Sequence, residues 1–251
     1  MLTIEVDEIK YEIPQSFEEF KPAELIKFFE YEGSLINRLL YSAGVPVQRL
    51  QIEDYEAEFA NGESLFGLLE PFFNEKGEFE IILNENKFPT YQNIGNNFVE
   101  NLKAWEVASM SFEQFAVCDY NVWLMSQESS NRNLRESCLK IIFETIYQKI
   151  DDNGYMLPFD SQRNRITNVT IGILMAVYHH YLTVRGCLLE KFKDNIDESS
   201  VENPMQANET FLINLALMSE NLDFNTITKQ PYANLLLLAS TLKTQNSTNK
   251  Q

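Results

Sequence analysis

The chain has 251 residues, enough for one sizeable core or two small domains. Hydrophobic residues make up 44%, which excludes a disordered chain. The net charge of −17, with no Lys/Arg cluster, argues against nucleic acid and against an anionic membrane surface as partners. Nine glycines and eight prolines are few, so long helices are expected over many tight turns.

The first thirteen residues, MLTIEVDEIKYEI, carry no basic stretch followed by an apolar run, so no signal peptide is expected. Leu2 to Val6 and Ile9 to Ile13 alternate apolar and polar around Asp7-Glu8, the pattern of a β-hairpin with a two-residue turn. Pro14 closes it, and Ser16 caps a turn or short helix. Pro22 suits the first turn of a helix running to Tyr31, with Gly33 just past its end. Leu35, Ile36, Leu39, Leu40 and Ala43 predict a second helix, stopped by Gly44 and Pro46. Residues 47–60 and 63–73 predict two further short helices. Glu78 to Leu83 alternates partly, as a third strand beside the hairpin would. Residues 84–97 are polar and broken by Pro89 and Gly95, which marks a boundary.

Beyond that boundary the pattern is helical. Ser111 and Gln114 form a capping box for a helix to about Ser126. Leu139, Ile142, Phe143, Ile146 and Ile150 predict a helix from Leu134 to Ile150, ended by Asp151 to Gly154. Asp194 to Asn203 reads as an acidic linker. Helices are expected over Met205–Ser219 and Pro231–Leu242, and Leu235 to Leu238 must be largely buried or bound. The polar stretch Gln245–Gln251 has no apolar anchor and is expected to be disordered.

Asn168 to Lys193 is the organising segment. Apolar side chains fall on almost every face of a 3.6-residue helix, so burial by neighbouring helices on most sides is expected. Thr167 or Asn168 can cap its start; Arg185, Lys191 and Lys193 suit the dipole at its end. Its unbroken apolar run ends at His179 after about 10 residues, half of what a membrane span requires. Ile173, Val177, Tyr181 and Val184 share one face and are expected to be buried. Gly172 and Ala176, four apart, mark a close helix crossing.

No residue set points to catalysis, to a metal or to a cofactor. His179 and His180 are the only histidines, and neighbours on a helix point about 100° apart. The expectation is a hydrogen-bonded core histidine beside a more exposed one. A nucleophile pair such as Cys138 with His180 has no supporting motif. Glu18-Glu19 and Asp151-Asp152 are paired acids of the kind found in solvated turns. Gly62 and Gly67 lack the Lys-Ser/Thr of a phosphate loop. Cys118, Cys138 and Cys187 lie in apolar helical patterns and are expected to be buried free thiols of a reducing cytoplasm. Eighteen Phe and eleven Tyr exceed the needs of a small helical core. The surplus either fills the core or lines a groove for an apolar helix of a partner.

Several segments carry a resemblance. Tyr11-Glu12-Ile13-Pro14-Gln15-Ser16-Phe17-Glu18-Glu19-Phe20 looks like a "YEIP-x-S-W-x-E-hydrophobic" start, with Phe17 where Trp is usual. Met110-Ser111-Phe112-Glu113-Gln114-Phe115 is similar to a "hydrophobic-S/T-F-x-E/Q-F" helix opening. Leu139 to Tyr147 resembles an "LIAxLY" helix, though without the Arg-Pro that follows it. Arg185 to Phe192 resembles a late helix with an Arg-Gly-Cys patch. In this order, across about 190 residues, the segments resemble tail-assembly proteins of Bacteroidetes-type bacteriophages, encoded near the tape-measure protein and treated as tail assembly chaperones.

The expected fold is α+β and predominantly helical. Residues 1–88 form a subdomain with a hairpin or three-stranded sheet and short helices. Residues 89–243 form an all-α domain around a central buried helix, and 244–251 a disordered tail. The resemblance implies a non-enzymatic protein of the host cytoplasm. It would bind an apolar helical tail component, the tape measure, before tail tube subunits polymerise round it; a structural part of the virion, tail or adaptor, is the alternative. Phe66, Phe72, Phe73, Phe98 and Trp105 flank the boundary and are the expected partner-binding residues.

Overall fold

The computed structural model describes residues 2–46, 48, 72, 102–105, 109–127, 131–149, 151–153, 155, 169–192, 211, 215 and 224–248. These form a mostly helical α+β chain with a small antiparallel sheet at the N-terminus. Two compact units result. The first comprises Met1–Phe98 with Asn168–Thr183, and the second Val99–Thr167 with Val184–Gln251. The first half of the central helix is therefore part of the N-terminal unit. The expected helices over 47–60 and 63–73 and the strand at Glu78–Leu83 lie outside the described residues, Gln48 and Phe72 excepted. No helix among the described residues is long and apolar enough to cross a membrane.

In the first unit, β1 (Leu2–Val6) pairs with β2 (Ile9–Ile13), Val6 facing Ile9. Asp7 and Glu8 sit at φ 51° and 66°, the left-handed geometry that a two-residue turn needs to match strand twist. Helix α1 (Pro22–Glu30) buries Leu25, Phe28 and Phe29, spaced i, i+3, i+4 on one face. Tyr31 is its C-cap, two residues before Gly33. Helix α2 (Leu35–Ser42) starts where the Ser34 hydroxyl accepts from the Asn37 backbone N–H at 3.3 Å. It ends in a Schellman motif: Val45 N donates to Leu40 O and Gly44 N to Tyr41 O, both at 3.0 Å, with Gly44 at φ 95°.

The core of this unit is aromatic. Phe17 lies against Phe20 at 5.4 Å, Phe28 at 5.5 Å and Phe72 at 5.1 Å between ring centroids. Two of these contacts are edge-to-face, which suits the ring quadrupoles. Helix α5 (Ile171–Lys191) enters this unit with Gly172, which packs on α1 so closely that a Cβ would collide with the Ile26 carbonyl and the Glu30 side chain. The spacing of Gly172 and Ala176 thus marks a close crossing, and Ala176 is fully buried in the aromatic core. The expected cap residues Thr167 and Asn168 lie outside the described residues. Ile173, Val177 and Tyr181 are buried; Val184 is only half-buried, because it falls past the last buried turn of the helix.

In the second unit, α3 (Phe112–Gln127) packs on α4 (Arg132–Ile146). The capping box forms as expected: Ser111 N donates to Gln114 Oε1 at 3.0 Å, and Gln114 N to Ser111 Oγ at 3.2 Å. The all-helical expectation for this region needs one correction. Helix α4 stops at Ile146, and Tyr147–Lys149 form β4, antiparallel to β3 (Leu102–Ala104). The stop has a cause that local periodicity does not carry. The last carbonyls of α4 are taken by side chains and by the ribbon: Thr145 O accepts from Gln114 Nε2 and Gln148 Nε2, Glu144 O from Gln148 Nε2, and Ile146 O from Trp105 N at 2.8 Å.

Helix α6 (Phe224–Thr228) precedes α7 (Tyr232–Thr248), and both pack on α3. Of the expected helix over Met205–Ser219, Phe211 and Leu215 are described. The starts of α3 and α7 are tied together: Phe112 N donates to Gln230 O and Tyr232 N to Met110 O, both at 2.9 Å. Tyr232 stacks on Phe115 with centroids 4.0 Å apart. Leu235 and Leu236 are buried, but Leu237 is 58% exposed, so the four-leucine run is not buried as a block. Four consecutive helical residues cover every direction around the axis, and one must face outward. Helix α7 continues to Thr248, into the polar stretch expected to be disordered.

Candidate functional site

Of the five aromatics expected to meet a partner, Phe66, Phe73 and Phe98 lie outside the described residues. Phe72 is 1% exposed and edge-on to Phe17, inside the core of the first unit. Trp105 belongs to the second unit, where it is half-buried directly after β3. Its backbone N–H extends the β3–β4 ladder, and its indole Nε1 is enclosed without a hydrogen-bond acceptor among the described residues.

The two histidines divide by exposure as expected, one buried and one less so, although the Nδ1 atom of the buried one makes no hydrogen bond among the described residues. His180 is buried, and desolvation pushes its pKa down to about 3, so it is neutral at ordinary pH. His179 is half-buried and stacks on Phe29, centroids 4.9 Å apart and planes within 11°. Helix geometry sends the two rings in different directions, and each serves packing in the first unit. Cys138 belongs to the second unit and His180 to the first.

All three cysteines are free. Cys118 and Cys138 are buried, but Cys187 is exposed, a correction to the expectation for all three. Cys187 lies in the last turns of α5, where no side chain from Leu182 onward is buried. Burial pushes the Cys118 thiol well up; the charge of Asp119 adds to the rise, and a hydrogen bond with Thr145 works against it. Burial also raises the Cys138 thiol. Both are thereby held protonated, the unreactive form.

One charged pair stands out, and its two halves lie 66 positions apart in sequence. Asp119, on α3, is 5% exposed. Arg185, on α5, reaches it side-on: Nε donates to Oδ1 at 2.6 Å and Nη2 to Oδ2 at 3.2 Å. The Asp119 side chain is 6% exposed and that of Arg185 31%. Arg185 was expected to serve the helix dipole; the structure gives it this bidentate role as well. Nothing local announces Asp119 as buried, since an acid in an amphipathic helix ordinarily faces water. Gln114 was legible as a cap but not as the donor that closes α4.

Among the described residues, no group of three or more His, Cys, Asp or Glu side chains could hold a metal ion. Comparison with protein-family models, curated proteins and solved structures finds no match to this chain.

Proposed function

We propose that the chain is a non-enzymatic, chaperone-like phage tail assembly protein. In this reading it holds an apolar helical tail component, the tape measure, in the host cytoplasm until tail tube subunits assemble round it. The order of four short segments, resembling that group from Tyr11 to Phe192, supports the tail assignment. Three candidate reactive groups, His180, Cys118 and Cys138, are buried where desolvation keeps them neutral, and so serve packing. The charge of −17 would keep a complex with an apolar partner soluble and would favour a lysine-rich one.

The burial of Phe72 changes how this is tested. Phe72→Asp would place a charge inside the aromatic core of the first unit and unfold it, so it cannot report on binding. Trp105, half-buried, is the better probe. The test is co-expression with the tape-measure protein of the same genome. A soluble complex that co-purifies, weakened by Trp105→Asp in a variant with an unchanged circular dichroism spectrum, is the expected result. A tape-measure protein that stays insoluble and alone would overturn the chaperone role. Mass spectrometry of purified particles then decides the alternative, since a virion component is present at fixed copy number and a chaperone is absent.

A further inference from the structure

We propose that the outer edge of β1 docks an extended segment of a partner chain in which lysine or arginine alternates with apolar residues. The segment would join the hairpin as a third strand, a mode independent of the tail-assembly reading. The first ground is where the backbone groups point. Val6 and Ile9 close the two-residue turn as a hydrogen-bonded pair. Such pairs alternate along an antiparallel ladder, so Ile4–Tyr11 and Leu2–Ile13 are bonded too. Thr3 and Glu5 therefore turn their N–H and C=O groups outward on β1, as Lys10 and Glu12 do on β2. Among the described residues β1 has no strand on its other side, and no backbone hydrogen bond reaches Thr3 or Glu5 from outside the hairpin.

The second ground is the lack of a guard. Edge strands are ordinarily blunted by proline, a bulge or lysine. On the other strand, β2 is followed by Pro14 and lies against α2. In β1, Leu-Thr-Ile-Glu-Val has no proline and no lysine, and its five pairs run in unbroken register. The third ground is charge set on alternation. Thr3 and Glu5 are exposed on one face of the sheet, while Ile4 packs on the core from the other. The hairpin carries four acids, Glu5, Asp7, Glu8 and Glu12, against Lys10 alone. Lys10 stands opposite Glu5 on the β2 side, so a base on an added strand would meet Glu5 from its open side. Side chains of that strand would fall alternately on the two faces, basic beside Thr3 and Glu5 and apolar beside Ile4. A second copy would bring the same acids and a charge of −17 to the edge, so charge selects the basic segment.

The test is titration of the full chain with a short peptide of alternating lysine and valine, the protein's backbone amides being followed by NMR. The Thr3 and Glu5 amides should gain protection from hydrogen exchange, while those of Lys10 and Glu12 should not. Glu5→Lys, at an exposed position, should weaken binding by about threefold or more. Thr3→Pro should abolish it, because it removes an outward donor and leaves the hairpin's own bonds in place. If Thr3→Pro disturbs the hairpin, Glu5→Lys carries the test. No binding, or equal binding of a glutamate–valine peptide, would overturn the proposal. So would protection confined to Lys10 and Glu12. Protection of Thr3 and Glu5 that rises with protein concentration in the absence of peptide would assign the edge to a second copy and overturn it as well.

Discussion

Gly172 shows how much one absent methyl group can carry. Its neighbour across the crossing is the Ile26 carbonyl, part of a helix backbone that cannot swing aside as a side-chain tip can. Gly172→Ala should therefore destabilise the protein by about 1–3 kcal/mol, the range of core overpacking, despite alanine's better helix propensity. Urea unfolding midpoints check this; an unchanged midpoint would mean the crossing is looser than described. His180 makes a prediction in pH. Its folded pKa of about 3 lies below the ordinary histidine value of about 6.5. Between those values the unfolded chain takes a proton that the folded chain refuses. This contribution is complete above about pH 6.5 and is lost as pH falls, by at most about 1.4 kcal/mol per pH unit. His180→Gln should flatten the decline in stability between pH 7 and pH 5; an identical slope would assign the decline to other groups.

At the scale of elements, the hairpin turn and the end of α4 differ in what holds them. Asp7 and Glu8 both occupy left-handed backbone that neither prefers. Replacing the pair with Asn-Gly should stabilise the hairpin by about 1 kcal/mol, seen as a higher melting temperature; a fall would contradict the turn geometry. The end of α4 is held by amide side chains. Gln114→Met keeps the volume but removes the donor to Thr145 O and the acceptor for Ser111 N. It should cost about 1–3 kcal/mol, more than Gln127→Met on the exposed end of α3, which serves as the control.

At a larger scale, the thiols report on the second unit, which holds all three cysteines. With Cys187 exposed and Cys118 and Cys138 buried, a thiol reagent should label one cysteine in the native protein and three after unfolding, without reductant. Rapid labelling of a second native thiol would refute the packing of α3 on α4. What was legible beforehand follows the range of the interactions. The hairpin, α1, the Ser111–Gln114 box and the central helix rest on neighbours within about a dozen positions, where spacing and capping speak directly. The β3–β4 ribbon, the stop at Ile146 and the Asp119–Arg185 pair join residues dozens of positions apart, and no local pattern encodes them. The aromatic surplus is the instructive middle case. Composition raised both core and groove, and in the first unit Phe17, Phe20, Phe28, Phe29 and Phe72 are core.

The first unit is also discontinuous: it takes its first 98 residues from the start of the chain and its last segment from 168–183. A ribosome adds about 5–20 residues per second, so the N-terminal part must wait roughly 4–16 s for Gly172 and Ala176 to be synthesised. Until then the face of α1 around Ile26 and Glu30 has no helix to receive. Nascent chains and truncations ending before residue 168 should therefore be the aggregation-prone forms of this protein, whatever the stability of the finished one.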